Sequence, residues 1–267
     1  MPRAEGAVRL AFKRQESTTV LDRLYQQGAA RVRLPNPPAG EPPLAVLLNM
    51  AGGVTGGDRL RHDIHLAPST DAVVTSQAAE RVYRSMAGEA RIENRITLDS
   101  GARLDWLPQE TILFDRGRLE RRFTADLGAG AVLLAVEALI LGRRSSGETV
   151  RQGLIQDSWR IRREGKLVFA DGLRLGGDWV AKTARAAIFG NATAMATLFL
   201  VSGDAEAWLD PLRRVLRTLP CESGASAWNG MLVARFLGAD GFHLRESLTA
   251  ALGVLRGARL LPRTWLC

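Results

Sequence analysis

Two glutamates in apolar surroundings are the residues of this 267-residue chain best suited to chemistry. Glu137 is the only charged residue of the run 131–141, and Glu110 lies in the largely apolar segment 106–115. A bare buried carboxylate costs several kcal/mol, so each must pair with a cation, be protonated or face water. One interpretation is internal pairing with arginines such as Arg118, Arg121 or Arg143. The other is a polar, water-containing interior whose oxygen atoms bind a passing cation weakly.

A second unusual segment, residues 49–59, holds four glycines within six positions and ends in Asp58 and Arg59. Such density indicates positive φ angles or close backbone approach. A phosphate-binding P-loop needs lysine and a hydroxyl residue after its last glycine, and neither follows Gly57. The dinucleotide pattern Gly-x-Gly-x-x-Gly fits in no register. A turn between strands, with Asp58 binding nearby amides, and a loop that wraps a ligand are the two interpretations left.

The sequence offers little for a metal cage or a catalytic triad. His62 and His65 lie on a strand-like segment, which places them on opposite faces. The other candidate ligands are His243, Cys221 and the terminal Cys267, so no dedicated high-affinity metal site is expected. The nucleophile motif Gly-x-Ser-x-Gly is absent.

Composition is that of a soluble globular protein, with 46% hydrophobic and 24% charged residues. The net charge is +8, and only three of the 36 basic residues are lysines. Arginine favours carboxylate and phosphate partners, but these arginines form no cluster of the kind that binds nucleic acid. Two lone cysteines, the absence of a signal peptide and the absence of any long apolar run predict a cytoplasmic protein that does not bind membranes.

The first two thirds of the chain read as strands. Residues 8–13 and 30–34 alternate apolar and polar side chains, which is the period of a half-exposed strand. A weak repeat follows, in which Leu66, Leu98 and Leu127 each end a strand before a turn of small or polar residues. Spacings of 32 and 29 residues indicate stacked β-coils, with ordinary hairpins of a sandwich as the alternative.

The last third adds two amphipathic helices, expected near 204–218 and 243–257. Pro211 should kink the first helix or move its start towards Asp210. The predicted fold is mainly β, β-helix-like stacked sheets with two C-terminal α-helices. We expect one domain over 1–267, with a β-rich body at about 7–200 and a strand-helix-strand-helix segment at about 196–260.

Several segments, in order along the chain, resemble the UreD family of urease accessory proteins, which is called UreH in some bacteria. The segments are 52–59, 75–85, 106–115, 141–148 and 261–265. Two positions depart from the family pattern, which often has Pro in place of Met50 and Thr-Lys in place of Glu80 and Arg81. Neither departure touches the glycines or Asp58.

The resemblance implies a non-enzymatic scaffold with a β-helix-like body and two helices. It implies direct binding to UreF, contact with the GTPase UreG through UreF, and docking on apo-urease for nickel insertion. Nickel would be handled transiently, with no tightly bound cofactor and no nucleic-acid or membrane partner. Candidate transit carboxylates are Asp58, Glu110, Asp115 and Glu137, and candidate partner contacts are Arg256 and Arg259. A basic nucleic-acid-binding module is the alternative, followed by a hydrolase with an unrecognised site.

Overall fold

The computed structural model describes residues 3–143, 147–186 and 188–266, and it is 53% strand and 14% helix. Cys267 and part of the 141–148 segment lie outside these ranges. The strands are β1 (Glu5–Gln15), β2 (Thr18–Gly28), β3 (Ala30–Arg33), β4 (Leu44–Asn49), β5 (Arg59–Leu66), β6 (Asp71–Ser76), β7 (Glu80–Val82), β8 (Ala90–Leu98), β9 (Arg103–Leu107), β10 (Thr111–Leu113), β11 (Arg118–Leu127), β12 (Val132–Leu141), β13 (Gln152–Arg163), β14 (Lys166–Asp178), β15 (Ala194–Val201), β16 (Glu222–Trp228) and β17 (Met231–Gly238). The α-helices are α1 (Trp179–Thr183), α2 (Leu209–Leu216) and α3 (Gly241–Arg256), and short 3-10 turns cover Ala205–Trp208 and Arg263–Trp265.

The chain builds two facing sheets by alternating between them. The first sheet has the order β14-β13-β11-β8-β5-β1-β2, and the main path of the second is β16-β17-β15-β12-β9-β6-β4-β3. Strands β5, β8, β11 and β13 run parallel in the first sheet, and β4, β6, β9 and β12 run parallel in the second. Short strands β7 and β10 join β12 along one side. This is a solenoid-like stack of coils, which confirms the predicted fold class.

The leucine repeat lies in register within the first sheet. Leu66 pairs with Leu98, and Leu98 pairs with Leu127, while Phe12 of β1 continues the row beyond Leu66. All four side chains are at most 3% exposed. The repeated leucine is therefore the position where each coil ends its strand against the previous one, as the sequence pattern predicted.

Two hydrophobic cores divide the molecule into three layers. One core lies between the two sheets, and the other lies between the second sheet and helices α2 and α3. Strand β12 serves both cores, because Leu133, Ala135 and Leu139 face the first sheet while Leu134 and Val136 face the helices. By the same alternation its one charged residue, at position 137, points between the sheets.

The first predicted helix is shorter in the structure than its sequence pattern indicated. After β15 the chain forms the 3-10 turn, and α2 then covers only Leu209–Leu216. Pro211 lies in the first turn of α2, where a backbone N–H would have no partner within the helix. Helix α3 begins after Asp240, whose side chain accepts a hydrogen bond from the amide of His243 at 2.9 Å. Strand β16 and the five-residue α1 have no counterpart in the sequence prediction.

The stacked leucine row gives a test of the fold. Leu98→Ala leaves a cavity between Leu66 and Leu127, so we expect the free energy of unfolding to fall by about 2–5 kcal/mol. Thr97→Ala is the matched control, because Thr97 is exposed on the same strand and its loss should cost roughly 0.5 kcal/mol or less. Urea unfolding of both variants measures the difference. Equal costs at the two positions would contradict the stacking.

Candidate functional site

A cavity of about 210 Å³, lined by both polar and apolar side chains, enters the space between the sheets beside the glycine-rich segment. Exposed residues at its rim are Gly52, Gln77, Ala78 and Arg81. Polar side chains along its walls include Asn49, His62, Glu80, Asn94, Gln109, Thr111, Arg121 and Glu137. The cavity thus connects the surface near the glycines with the apolar run that holds Glu137.

The glycine-rich segment forms a tight turn at this rim. Gly53 has φ of +148°, and a Cβ there would lie 2.3 Å from Cε2 of Tyr83, whose ring covers it. Asp58 accepts hydrogen bonds from the amides of Thr55 and Ala4, both at 2.8 Å. The turn interpretation therefore describes Asp58, which binds backbone amides and does not line the cavity.

Glu137 lies at the inner end of the cavity and is 6% exposed. Its carboxylate accepts hydrogen bonds from Trp106 Nε1 at 3.1 Å and Asn94 Nδ2 at 3.4 Å, and it forms an ion pair with Arg121. Arg121 Nη2 also binds Asp157 Oδ2 at 2.5 Å, so one guanidinium joins two carboxylates. We call Glu137, Arg121 and Asp157 the interior triad. Burial raises the pKa of Glu137, although Arg121 opposes the shift.

A second, smaller cavity of about 80 Å³ lies on the other side of the triad. Arg121 and Glu137 line both cavities, and Asp157 lines the second. At the outer end of the second cavity Arg235 Nη2 binds Asp171 Oδ2 at 2.6 Å. The interior triad is therefore the partition between two cavities that lie between the sheets.

Two other predicted carboxylates are engaged elsewhere. Glu110 is buried and accepts a hydrogen bond from Arg245 of α3 at 2.7 Å, on the helix side of the second sheet. Asp115 accepts hydrogen bonds from the amides of Arg151 and Gln152 at 2.7 and 3.0 Å. Neither lines the two cavities that meet at Glu137. Of the four candidate transit carboxylates, only Glu137 lines these two cavities.

The two arginines predicted to contact a partner hold the C-terminal segment to the second sheet. The Arg256 side chain is 1% exposed and pairs with Asp105, whose side chain is 0% exposed. Burial lowers the pKa of Arg256, and Asp105 opposes that shift. Arg259 binds Asp71 at 2.5 and 3.1 Å and is partly exposed. The burial of Arg256 argues against direct contact with a partner, because its guanidinium is inside the protein and paired with Asp105.

The histidines lie on opposite faces of β5, as predicted. His62 faces the first cavity, with Nδ1 2.9 Å from Asn94 Oδ1, and burial lowers its pKa. His65 is exposed, and its Nε2 lies 3.1 Å from Asp99 Oδ2. Within residues 3–143, 147–186 and 188–266, no three His, Cys, Asp or Glu side chains converge as a metal cage.

Asn94 and Asp157 are residues of the site that the sequence reasoning missed. A usable signal was present, because Asp157 sits between inward-facing Ile155 and Trp159 in β13. Asn94 likewise sits between Ile92 and Ile96 in β8. A polar residue at an inward position of an alternating strand must find a partner across the core.

Comparison with known proteins decides the family. Residues 4–266 match the family model for "UreD urease accessory protein". The chain belongs to the UreD family. A "Urease accessory protein UreD" of Rhizobium etli is 46% identical over 98% of this chain and 95% of its own length. Proteins of the same name from Xanthobacter autotrophicus and Mesorhizobium japonicum are 47% and 42% identical, over 98% of this chain and 90% and 94% of their lengths.

Family membership confirms the resemblance drawn from the five sequence segments. It covers almost the whole chain, including both cavities and the interior triad. None of the helices in the described residues is long and apolar enough to cross a membrane.

Glu80, on the wall of the first cavity, predicts a pH effect. Its Oε1 accepts a hydrogen bond from Asn49 at 3.0 Å, and burial raises its pKa from 4.5 to about 7. The folded state binds this proton more tightly than the unfolded state does. The contribution of neutral Glu80 to the free energy of unfolding is therefore complete below pH 4.5 and is lost as the pH rises through about 7. Glu80→Gln should therefore match the wild type at pH 4.5 and exceed it by up to about 3 kcal/mol at pH 8.

Urea unfolding of wild type and Glu80→Gln across this pH range measures the effect. Parallel stability profiles for the two proteins would contradict the assigned proton affinity.

The C-terminal arginines predict unequal costs of truncation. Arg256→Ala leaves Asp105 buried without its cation, so we expect a loss of about 3–5 kcal/mol in unfolding free energy. Arg259→Ala removes a partly exposed pair and should cost roughly 1 kcal/mol or less. Chemical denaturation of both variants separates them. A cost at Arg256 no larger than that at Arg259 would show that the buried pair is not needed.

Proposed function

We propose that this protein is a non-enzymatic scaffold that assists the insertion of nickel into apo-urease. It binds UreF directly, reaches the GTPase UreG through UreF, and presents the assembly to apo-urease in the cytoplasm. Support comes from family membership over residues 4–266 and from relatives named as urease accessory proteins. Nickel is the cargo of this activity, and the protein itself keeps no tightly bound cofactor.

One observation carries the proposal from family to mechanism. Glu137, a carboxylate in an apolar strand, lies where two cavities with charged and amide groups in their walls meet between the sheets. A divalent ion that must move on needs weak oxygen ligands, because several imidazole or thiolate ligands together would retain it. The walls offer the carboxylates of Glu137 and Glu80 and the amide oxygen of Asn49, with His62 as a single imidazole, whereas the amide oxygen of Gln109 is bound by Arg245.

Nucleic-acid binding is the alternative function. Arg121, Arg245 and Arg256 are engaged with carboxylates inside the protein, so these three arginines do not add to a basic surface. Strong binding of RNA or DNA with a steep salt dependence, together with no affinity for UreF, would support this alternative.

Glu137→Gln tests the transit path in cells. The glutamine amide has the same shape as the carboxylate, and Arg121 retains its ion pair with Asp157. Folding and UreF binding should therefore persist. Loss of the negative charge should lower urease activation severalfold, measured as urease activity and urease-bound nickel at equal urease levels. Glu110→Gln is the matched control, because Glu110 is equally buried but pairs with Arg245 on the helix side and lines neither cavity.

Two results would count against the proposal. Full activation by Glu137→Gln would show that nickel does not depend on this carboxylate. Equal loss in both variants, with a lower melting temperature and lost UreF co-purification, would show only structural roles.

A further inference from the structure

The interior triad has an arrangement that a simple structural ion pair does not require. A single guanidinium, 4% exposed, separates two carboxylates that would otherwise repel each other in a low-dielectric interior. Arg121 Nη1 contacts Glu137 and Nη2 contacts Asp157, so the two carboxylates flank one cationic group. The positive charge between the two cavities is therefore supplied by the Arg121 side chain.

We propose that Glu137 and Asp157 form a divalent-cation site whose place is taken by the Arg121 guanidinium in the resting protein. The ion binds when Arg121 withdraws, so this arginine controls passage between the cavities. The inference adds a site to the proposed function and rests on it for its biological meaning, but ion binding can be measured without urease.

Charge balance permits this exchange. The triad carries a net charge of −1 with Arg121 in place, and the two carboxylates with a divalent ion sum to zero, while the displaced guanidinium carries its positive charge towards the first cavity. Neighbouring neutral oxygens, Thr111 Oγ1 and Asn94 Oδ1, lie within the same contact network. Carboxylate and neutral oxygen donors suit hard and borderline divalent ions without holding them tightly.

The packing around Arg121 also allows the exchange. The first cavity adjoins the guanidinium and gives the side chain space to move, and Nη1 already donates to Thr111 Oγ1 at 3.1 Å on its wall. Among the described residues, Arg121 Nε and Asp157 Oδ1 are buried without a hydrogen-bond partner. The same holds for Arg256 Nε and Asp105 Oδ1 on the helix side, so the space beside Arg121, and not its incomplete hydrogen bonding, is what distinguishes the triad.

Arg121→Gln is the decisive variant, with terbium(III) chloride as the probe. Trp106 donates to Glu137, and Trp159 lines the second cavity, so a lanthanide at the site lies close to two indole sensitisers. We expect saturable, one-to-one terbium emission on tryptophan excitation, at least roughly tenfold tighter than in wild type because the competing cation is gone. Manganese(II) chloride should displace the terbium and quench this emission.

Two controls define the site. Arg121→Gln combined with Glu137→Gln should lose the tight emission, because one of the two carboxylates is gone. Arg245→Gln exposes a single buried carboxylate, Glu110, beside Trp265, whose ring lies 4.8 Å from the Arg245 guanidinium carbon. Equal emission from Arg245→Gln would mean that any broken ion pair binds the probe, and would overturn the proposal.

Arg121→Lys provides a second route if the glutamine variant does not fold. A lysine ammonium cannot bridge two carboxylates as the guanidinium fork does, so we expect terbium affinity between those of wild type and Arg121→Gln. No gain in affinity in a folded Arg121 variant would overturn the site. Tight binding by these variants, together with normal urease activation by Glu137→Gln, would support the site and reject the transit function.

Discussion

The burial of the second sheet on both of its faces is the constraint on which the rest of the structure depends. One face packs against the first sheet and the other against helices α2 and α3. A carboxylate in the central strands β9 and β12 cannot reach bulk water, so it must pair with a cation inside the protein. Glu137 does so with Arg121 and Asp105 with Arg256, one on each side of the sheet. These ion pairs join the three layers as directly as the apolar contacts do.

The two sides of the sheet use their charges differently. On the helix side, Asp105, Glu110 and Asp71 each meet an arginine of α3 or of the segment that follows it. That set attaches the C-terminal region to the solenoid. On the inner side the interior triad lies between two cavities and borders open space on both sides. The need of a buried carboxylate for a counter-ion thus attaches the C-terminal region on the helix side and separates the two cavities on the inner side.

The glycine-rich segment is explained by backbone packing at the rim of the first cavity. Tyr83 occupies the space that a side chain at Gly53 would need, and Asp58 closes the turn through amides. The segment therefore contributes to the candidate site by shaping its entrance. The Asp58 carboxylate binds backbone amides, whereas the Glu137 carboxylate lines the cavity, although both residues were candidates from the sequence.

The sequence by itself determined the stacked coils, because the leucines at 66, 98 and 127 mark the same point of each coil and pair in register. It also determined helix α3, whose apolar stripe and Asp240 cap are local signals. The opposite faces of His62 and His65 followed from strand alternation alone. These features depend on residues close in sequence or on a regular period.

Only the tertiary structure decided what each buried charge meets. Alternation places a side chain on one face of a strand, but β12 and its neighbours are buried on both faces, so the pattern does not say which layer lies opposite. Glu110 and Glu137 look alike in sequence, yet one meets Arg245 of the helix layer and the other Arg121 of the first sheet. Arg256 looked like a surface residue because its partner Asp105 is 151 positions away. Long-range pairing of this kind is set by how the layers pack, which no local pattern records.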